Sequence, residues 1–250
     1  MTMVNRAKKK KKRRKKNYLL RLIVLIAAVA GLYFLLSSSL FDVQKIKVES
    51  NHYYTKEQII SKAEAKTGQN IFAIKTEKMK TLLLEDPYMK NVRIKRSLPG
   101  TIIIYIEERK EVAAVLYAST FIIIDGDGLV LRKSDTDPKL TLLAGMTIKS
   151  MEAGKLLEIE ETSALAETLK ILETMEKAEL YFKKIDISNP VIKAYIYDQL
   201  ICQGTSENIL ESMASEGLKR VLIGLYTNGI ERGIINIGSD NYFSFNPKVE

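Results

Sequence analysis

The chain opens with two segments of opposite polarity. Residues 6–21 carry eleven Lys and Arg and no acid, and an apolar run from Leu19 to Phe41 overlaps their end. That run has one charge, Arg21, near its start. Its 23 residues would rise about 34 Å as a helix, enough to cross a hydrocarbon core of about 30 Å. The pattern therefore predicts a transmembrane helix over residues 19–41.

The basic segment predicts how this helix is oriented. Segments rich in Lys and Arg stay in the cytoplasm, so we expect residues 1–18 to form a cytoplasmic tail and the chain after Phe41 to lie outside the cell membrane. A basic run beside a membrane span also attracts anionic headgroups, by about 1 kcal/mol per residue. The residues expected to set the topology are Lys8, Lys9, Lys10, Lys11, Lys12, Arg13, Arg14, Lys15 and Lys16.

A cleaved signal peptide is the alternative to a permanent anchor. Residues 28–30 have the small-x-small form of a cleavage site, and the serines at 37–39 are a second, weaker candidate. The apolar part of a signal peptide usually spans about 7–15 residues. The run in this chain is longer and continues past the first candidate site, which favours an uncleaved anchor.

The formal charge of +9 does not by itself indicate a nucleic-acid-binding protein. The first 21 residues hold 11 of the 39 basic side chains, so the rest of the chain balances 28 basic residues against 30 acidic ones. The excess of positive charge therefore belongs to the N-terminal segment. No interleaving of aromatic and basic residues marks a surface for single-stranded nucleic acid. We expect no nucleic-acid partner.

Beyond the predicted helix, the spacing of apolar residues predicts a β-α-α-β-β unit up to about residue 110. The stretch FDVQKIKVES alternates apolar and basic positions, as a half-buried strand does. Thr55 and Gln58 form a capping box that starts a helix, and Gly68 is expected to end it. A second helix is predicted from about Thr76 to Glu85, where Asp86-Pro87 stops it.

Two strands close this unit. They are NVRIKRS and TIIIYIEER, and the tripeptide LPG joins them. Pro99 presets φ and Gly100 accepts φ > 0, so the pair predicts a type II turn. On the second strand Ile102, Ile104 and Ile106 share one face, which we expect to be buried.

These segments resemble the POTRA domain of the bacterial division proteins FtsQ and DivIB. The matching text is FDVQKIKVESN, then TGQNIFAIK, then EDPYMKNVRIKRSLPGTIIIYIEERKEVAAV, in that order after a basic tail and one anchor. The resemblance extends over nearly the whole chain and implies an α+β protein. It divides the chain into the tail (1–18), the transmembrane helix (19–41), a POTRA domain (42–110) and a mixed α+β domain that the family calls its β domain (111–250).

The pattern in residues 111–250 fits such a second domain. FIIIDGDGLVL reads as a hairpin with its turn at Gly126 and Gly128. A helix is predicted from about Thr162 to Lys177, and KKIDIS and VIKAYIYDQLICQG read as strands. Ser206 is expected to cap one further helix that runs to Asn228. The last predicted strand is GIINIGS, which leads to NYFSFNPKVE.

The residues that could carry chemistry do not form a catalytic set. His52 is the only histidine and Cys202 the only cysteine, and Cys202 lies in an apolar strand. The DGDG segment that begins at Asp125 lacks the further ligands of a calcium loop, which favours a turn. Glu107 and Glu108 are adjacent in a strand and point to opposite faces, so they cannot flank one glycosidic bond. We expect no enzymatic activity, no metal and no cofactor.

The resemblance instead implies a protein that works by binding. It implies a non-enzymatic bitopic scaffold at the division septum, whose partners FtsL and FtsB (DivIC in Gram-positive bacteria) join it in recruiting and regulating the septal peptidoglycan synthase complex. In this family the partner docks on the last strand of the β domain, by pairing with an exposed sheet edge. The alternative is that the late aromatic residues only pack that strand on the core. The expected partner-binding residues are Ile235, Ile237, Tyr242, Phe243 and Phe245.

Two other classes of protein compete with this interpretation. A POTRA-bearing transport or secretion component would usually append a membrane barrel, and no series of alternating ten-residue segments follows here. A membrane-anchored cell-wall enzyme would need a catalytic set that the sequence does not supply. Both stay open at this point as alternatives to a division scaffold.

Overall fold

The computed structural model describes residues 18–247, so the predicted topology block Lys8–Lys16 lies outside the described residues. The chain forms two compact units. Within the described residues, the first contains 18–47, 66–75 and 95–103, and the second contains 48–65, 76–94 and 104–247.

The described residues form helices and strands in similar measure, which confirms the α+β class. The α-helices are α1 (Tyr18–Leu36), α2 (Lys56–Lys62), α3 (Thr76–Leu84), α4 (Thr162–Ala178), α5 (Ser206–Ala214) and α6 (Gly217–Thr227). The strands are β1 (Lys45–Glu49), β2 (Met89–Ser97), β3 (Thr101–Glu108), β4 (Ala113–Tyr117), β5 (Thr120–Ile124), β6 (Val130–Ser134), β7 (Thr141–Ala144), β8 (Ile148–Ser150), β9 (Glu158–Ile159), β10 (Lys184–Asp186), β11 (Ile192–Tyr195), β12 (Leu200–Gly204), β13 (Gly233–Ile237) and β14 (Phe243–Asn246).

Helix α1 is the element of the first unit that could cross a membrane. Of the helices that the structure describes, it alone is long and apolar enough to do so. Its 19 residues rise about 28 Å. The helix ends before the predicted limit at Phe41, because the Ser38 hydroxyl donates to the carbonyl of Leu35 at 2.6 Å and competes with the helical hydrogen bonds. A short 3-10 helix, Ser39–Phe41, follows.

The order β1-α2-α3-β2-β3 confirms the predicted β-α-α-β-β arrangement. Its three strands form a sheet in the order β1-β3-β2. The capping box of Thr55 and Gln58 is present as predicted. The prediction that Gly68 ends this helix is wrong, because the chain leaves α2 after Lys62 and Glu64 adopts a φ of 52°. The buried face of β3 is the predicted one, formed by Ile102, Ile104 and Ile106.

The turn between β2 and β3 differs from the predicted type II turn. The Leu98–Pro99 peptide is cis, and Gly100 is not among the residues with positive φ. A cis proline at the third position is the mark of a type VI turn. Gly100 is needed for another reason, since a Cβ there would lie 2.5 Å from the carbonyl oxygen of Asp42. Close approach of the backbone, and not a left-handed conformation, therefore requires the glycine.

The second unit is built on a nine-stranded sheet in the order β14-β13-β12-β11-β10-β7-β4-β5-β6. Strand β7 runs parallel to β4 and β10, β12 runs parallel to β13, and the other neighbours are antiparallel. Helices α4 and α5 pack on each other and on one face of the sheet. Their core includes the fully buried residues Ile124, Leu143, Ile185, Cys202 and Ile235. The predicted hairpin β5–β6 and the predicted helix α4 are both present.

The predicted helix from Ser206 to Asn228 is two helices. Thr205, not Ser206, is the N-cap, and its hydroxyl accepts from the backbone N–H of Asn208 at 3.3 Å. Ser206 is the first residue of α5 and is buried. The break comes at Glu216, whose φ of 57° turns the chain between α5 and α6. An uninterrupted helical spacing of apolar residues concealed this break.

Candidate partner-binding edge

The strand GIINIGS is not the exposed edge that the sequence suggested. It forms β13, which pairs with β12 on one side and with β14 on the other. Ile235 and Ile237 are buried in the core at 0% and 4% exposure. The prediction is wrong because the segment after GIINIGS forms a strand of its own, β14. The edge of the sheet is therefore β14.

The hairpin between β13 and β14 fixes which groups of β14 face outward. Asp240 and Asn241 both adopt a φ of 55°, as a type I′ turn requires. The N–H of Gly238 donates to the carbonyl of Tyr242 at 2.9 Å. Hydrogen-bonded and non-bonded pairs alternate along an antiparallel ladder. Because Phe243 and Phe245 fall on the non-bonded positions opposite β13, their N–H and C=O groups point away from it.

The side chains of Phe243 and Phe245 lie on the core side of β14 and pack against the hydrophobic core. Two glycines make room for the rings. A Cβ at Gly233 would lie 2.5 Å from the ring of Phe245, and a Cβ at Gly217 would lie 3.1 Å from the ring of Phe243. These phenylalanines thus present their backbone outward while their rings hold the edge strand in place.

Tyr242 differs from the two phenylalanines because its side chain is on the surface. It is 68% exposed, at the point where the turn enters β14. Its ring lies beside Gly238. An exposed tyrosine next to a free strand edge combines a large apolar area with a polar tip, which suits it to anchor a partner.

A row of polar side chains crosses the three edge strands on the sheet face opposite the helices. The amide of Gln203 donates to the side-chain oxygen of Asn236 at 2.6 Å, and the amide of Asn236 donates to the hydroxyl of Ser244 at 3.3 Å. Ser244 therefore ends this row at the edge of the sheet, where its oxygen can meet a partner. Sequence reasoning missed these residues, since they lie 33 and 8 positions apart along the chain.

The opposite edge of the sheet, β6, is covered at its start by the chain itself. The N–H of Val130 donates to the carbonyl of Lys155 at 2.9 Å, and the N–H of Gly154 donates back to the carbonyl of Val130 at 2.8 Å. Leu129 and Leu156 form a further bridge. A segment of this chain thus takes the position that a foreign strand would need at this edge.

A charged cluster lies at the β5–β6 turn. The guanidinium of Arg109 contacts Asp125 at 2.5 Å and Asp127 at 2.9 Å, and Lys90 contacts Asp127 at 3.0 Å. A second oxygen of Asp125 accepts from the N–H groups of Asp127 and Leu129. The DGDG segment is therefore a turn whose first carboxylate holds its own backbone. The hydrogen bond from Lys90, helped by Arg109, lowers the pKa of Asp127.

A second cluster joins Tyr88, Glu111 and Arg132. The Arg132 Nε lies 2.7 Å from a carboxylate oxygen of Glu111, which also accepts from the Tyr88 hydroxyl at 2.6 Å. Burial would raise the pKa of Glu111, but the hydrogen bonds from Arg132 and Tyr88 outweigh it, so the pKa is lowered. This carboxylate is thus stabilised in its charged form.

The residues considered above for catalysis or metal binding contribute to the structure instead. Glu108 organises a loop: its carboxylate accepts from the backbone N–H groups of His52, Tyr53 and Tyr54. Burial raises the pKa of the Cys202 thiol to about 12. Within residues 18–247, no group of three or more His, Cys, Asp or Glu side chains is placed to hold a metal ion.

Comparisons with known proteins agree with the architecture. The family model "POTRA domain, FtsQ-type" matches residues 41–109. The chain is 31% identical to the cell division protein DivIB of Clostridium acetobutylicum over 178 residues, which cover 69% of this chain and 71% of that protein. It is 28% identical to DivIB of Clostridium tetani over 216 residues (84% and 79%), and 25% identical to the cell division protein FtsQ of Syntrophotalea carbinolica over 149 residues (59% and 51%).

Proposed function

Because the chain belongs to the FtsQ/DivIB family of bacterial cell division proteins, we propose that it is a single-pass scaffold of the division machinery that acts by binding, without catalysis. The tail 1–18 lies in the cytoplasm against anionic lipid, the helix crosses the cell membrane within 19–41, and the POTRA domain (42–110) and β domain (111–250) lie outside at the septum. The basic tail and the apolar helix support this arrangement.

The partner-binding site in this proposal is the outer edge of β14. The supporting observation is that, in the part of the chain that the structure describes, β14 has a neighbouring strand on one side only. An extended segment could add to this edge, with main-chain hydrogen bonds to Phe243 and Phe245 supplying affinity. Tyr242 and the hydroxyl of Ser244 would supply specificity. Ile235 and Ile237 then act indirectly, by holding β13 in the core.

The proposed partners are bitopic division proteins of the FtsL and FtsB (DivIC) type. A strand from such a partner would complete the sheet, and the complex would help recruit and regulate the septal peptidoglycan synthase. The alternative of a transport or secretion component has less support, since the relatives compared above are named as cell division proteins. The alternative of a cell-wall enzyme has no catalytic set behind it in the described residues.

Amide hydrogen exchange at single-residue resolution tests the proposed edge. In the full chain without partner, the N–H groups of Phe243 and Phe245 should exchange quickly, because they face outward, while that of Ser244 should exchange slowly, because it bonds β13. Saturation with the partner's external segments should slow exchange at Phe243 and Phe245. Ser244 serves as the internal control, since its protection should hardly change.

The alternating pattern separates strand addition from other binding modes. Equal slowing at all three positions would indicate general stabilisation of the hairpin. No change at Phe243 and Phe245, with partner bound, would show that the docking surface lies elsewhere.

A further inference from the structure

The first unit presents exposed apolar side chains where the chain leaves α1. Leu40 is 56% exposed, Phe72 45% and Leu98 57%. We call these three residues the collar. They come from three segments that meet around residues 41–44. The carbonyl of Phe41 accepts from the N–H of Ile71, and the N–H of Gln44 donates to the carbonyl of Gly100, both at 2.8 Å.

A side-chain hydrogen bond fixes the position of the collar along the axis of α1. The amide of Asn70 donates to the carbonyl of Leu36 at 2.8 Å, and so satisfies one of the carbonyls left unpaired at a helix C-terminus. The ring of Phe72 also lies 5.5 Å from that of Phe41. Because α1 rises about 28 Å, close to the thickness of a hydrocarbon core of about 30 Å, Leu36 marks the membrane boundary when the helix crosses the bilayer.

The position of a tyrosine in the last turns of α1 agrees with a membrane boundary at Leu36. Tyr33 is 67% exposed and lies one turn before Leu36. Tyrosine favours the boundary between hydrocarbon and headgroups. With α1 across the bilayer, the loop that carries Asn70 and Phe72 would lie at the depth of the headgroups.

Charge is divided unequally between the two units. After α1, the first unit carries six basic side chains and one acid, Asp42. Within the described residues, the second unit carries 21 basic and 28 acidic residues. A surface that is apolar and locally positive, in a part of the chain that is otherwise acidic, matches an anionic membrane surface. All six basic residues are exposed: Lys45, Lys47, Lys66, Lys75, Lys95 and Arg96.

We propose that the collar is a second membrane attachment, in which Leu40, Phe72 and Leu98 enter the headgroup region of an anionic bilayer and the surrounding lysines contact its phosphates. This inference rests on α1 crossing the bilayer and is independent of the partner edge on β14. It assigns the loop 68–74 and the turn 98–100 a lipid-binding role.

The sequence contains no tryptophan, so one substitution creates a single fluorescent probe. The full chain carrying Phe72→Trp is reconstituted into vesicles of phosphatidylcholine, with or without phosphatidylglycerol, and with or without brominated acyl chains. We expect the emission to shift to shorter wavelength and to be quenched by bromine, more strongly in the anionic vesicles. The matched control is Tyr226→Trp, on α6 and 72% exposed, which should show neither effect.

A second probe and a charge variant complete the test. Leu98→Trp should report the same quenching if Phe72→Trp disturbs the contact with Phe41. In the Phe72→Trp chain, replacing Lys66, Lys75 and Lys95 by Glu should abolish the extra quenching in anionic vesicles. The same replacement at Lys149, Lys170 and Lys193, which are exposed in the second unit, should leave it unchanged.

Three results would overturn the proposal. Emission and quenching of both collar probes equal to those of Tyr226→Trp would show that the collar stays in water. Equal quenching in neutral and anionic vesicles would remove the role of the lysines. Shielding of Phe72→Trp that appears only when another membrane protein is reconstituted with the chain would assign the collar to that protein and not to lipid.

Discussion

The two edge strands of the nine-stranded sheet, β6 and β14, differ in what lies against them. At β6 the segment around Gly154 and Lys155 bonds the start of the strand, and two charged clusters centred on Asp125 and Glu111 lie beside the β5–β6 turn and β6. At β14 the described chain supplies no further strand, and the nearby exposed side chain is the aromatic Tyr242.

The β6 edge therefore bears mainly on the stability of the fold, and the β14 edge on whether the sheet is available to a partner strand. An edge strand with free N–H and C=O groups invites pairing with another chain. The molecule's own backbone covers the start of β6, whereas β14 has no neighbouring strand on its outer side in the described residues. Substitutions at the β6 end should therefore change the free energy of unfolding and leave partner binding intact, while substitutions on the surface of β14 should do the reverse.

The largest effect is expected for Ile235→Pro, which tests whether β13 belongs to the interior. Ile235 and Phe245 form a non-hydrogen-bonded pair, so the N–H of Ile235 points toward β12. The side chain of Ile235 is fully buried. Proline would remove a ladder hydrogen bond and empty a core position, at a cost of several kcal/mol. We expect no cooperative unfolding transition by circular dichroism. A folded variant that lost only partner affinity would restore β13 as the docking strand.

Asp125→Ala, at the β5–β6 turn, should have the next largest effect. It leaves the guanidinium of Arg109, 17% exposed, without its buried partner and frees two turn N–H groups. We expect a loss of about 3 kcal/mol in the free energy of unfolding, measured in urea. Asp127→Asn is the control, since Asp127 is 54% exposed and should cost less than about 1 kcal/mol. Partner affinity should be the same in both.

Tyr242→Ala should lower partner affinity by about 2 kcal/mol, or about 30-fold in Kd, with the melting temperature unchanged. Tyr226→Ala is matched in side chain and exposure and should change neither quantity. Phe245→Ala should lower stability as well, because its ring fills the space beside Gly233. If Tyr242→Ala destabilised the fold by several kcal/mol, the tyrosine would be a packing residue and not an anchor.

The smallest effect is expected for Glu111→Gln, and it depends on pH. Since the pKa of Glu111 is lowered in the folded state, its ionised form stabilises the fold above the unfolded pKa of about 4.3, and this contribution disappears as the pH falls through the lower folded pKa. At pH 7 the variant should be less stable by about 1 kcal/mol. Below both pKa values the two proteins should unfold at similar urea concentrations, and a difference that persisted there would indicate lost packing.

Local signals predicted much of this fold. The capping box of Thr55 and Gln58 depends on residues three positions apart, and the buried face of β3 follows from the alternation of Ile102, Ile104 and Ile106. Such features need no knowledge of distant contacts. The approach of Asp42 to Gly100 depends on tertiary packing, so the residues of the turn alone do not reveal why a glycine is needed there.

The candidate edge was predicted in the right region but on the wrong strand. Asp240-Asn241 lies between two alternating runs, GIINIGS and YFSFN, which is a hairpin signal. Reading it would have revealed β14 and moved the edge outward by one strand. The polar row from Gln203 to Ser244 had no signal of this kind, because its members come together only through the register of β12, β13 and β14.

The hydrogen bond from Asn70 to Leu36 has a mechanical consequence. A transmembrane helix tilts when its length and the thickness of the bilayer differ. In many single-pass proteins a flexible linker would absorb that tilt. Here Asn70 holds the last turn of α1, and Ile71 holds Phe41. If α1 crosses the bilayer as proposed, a change in its tilt should therefore move the loop 68–74 with it, which would couple the thickness of the bilayer to the first unit.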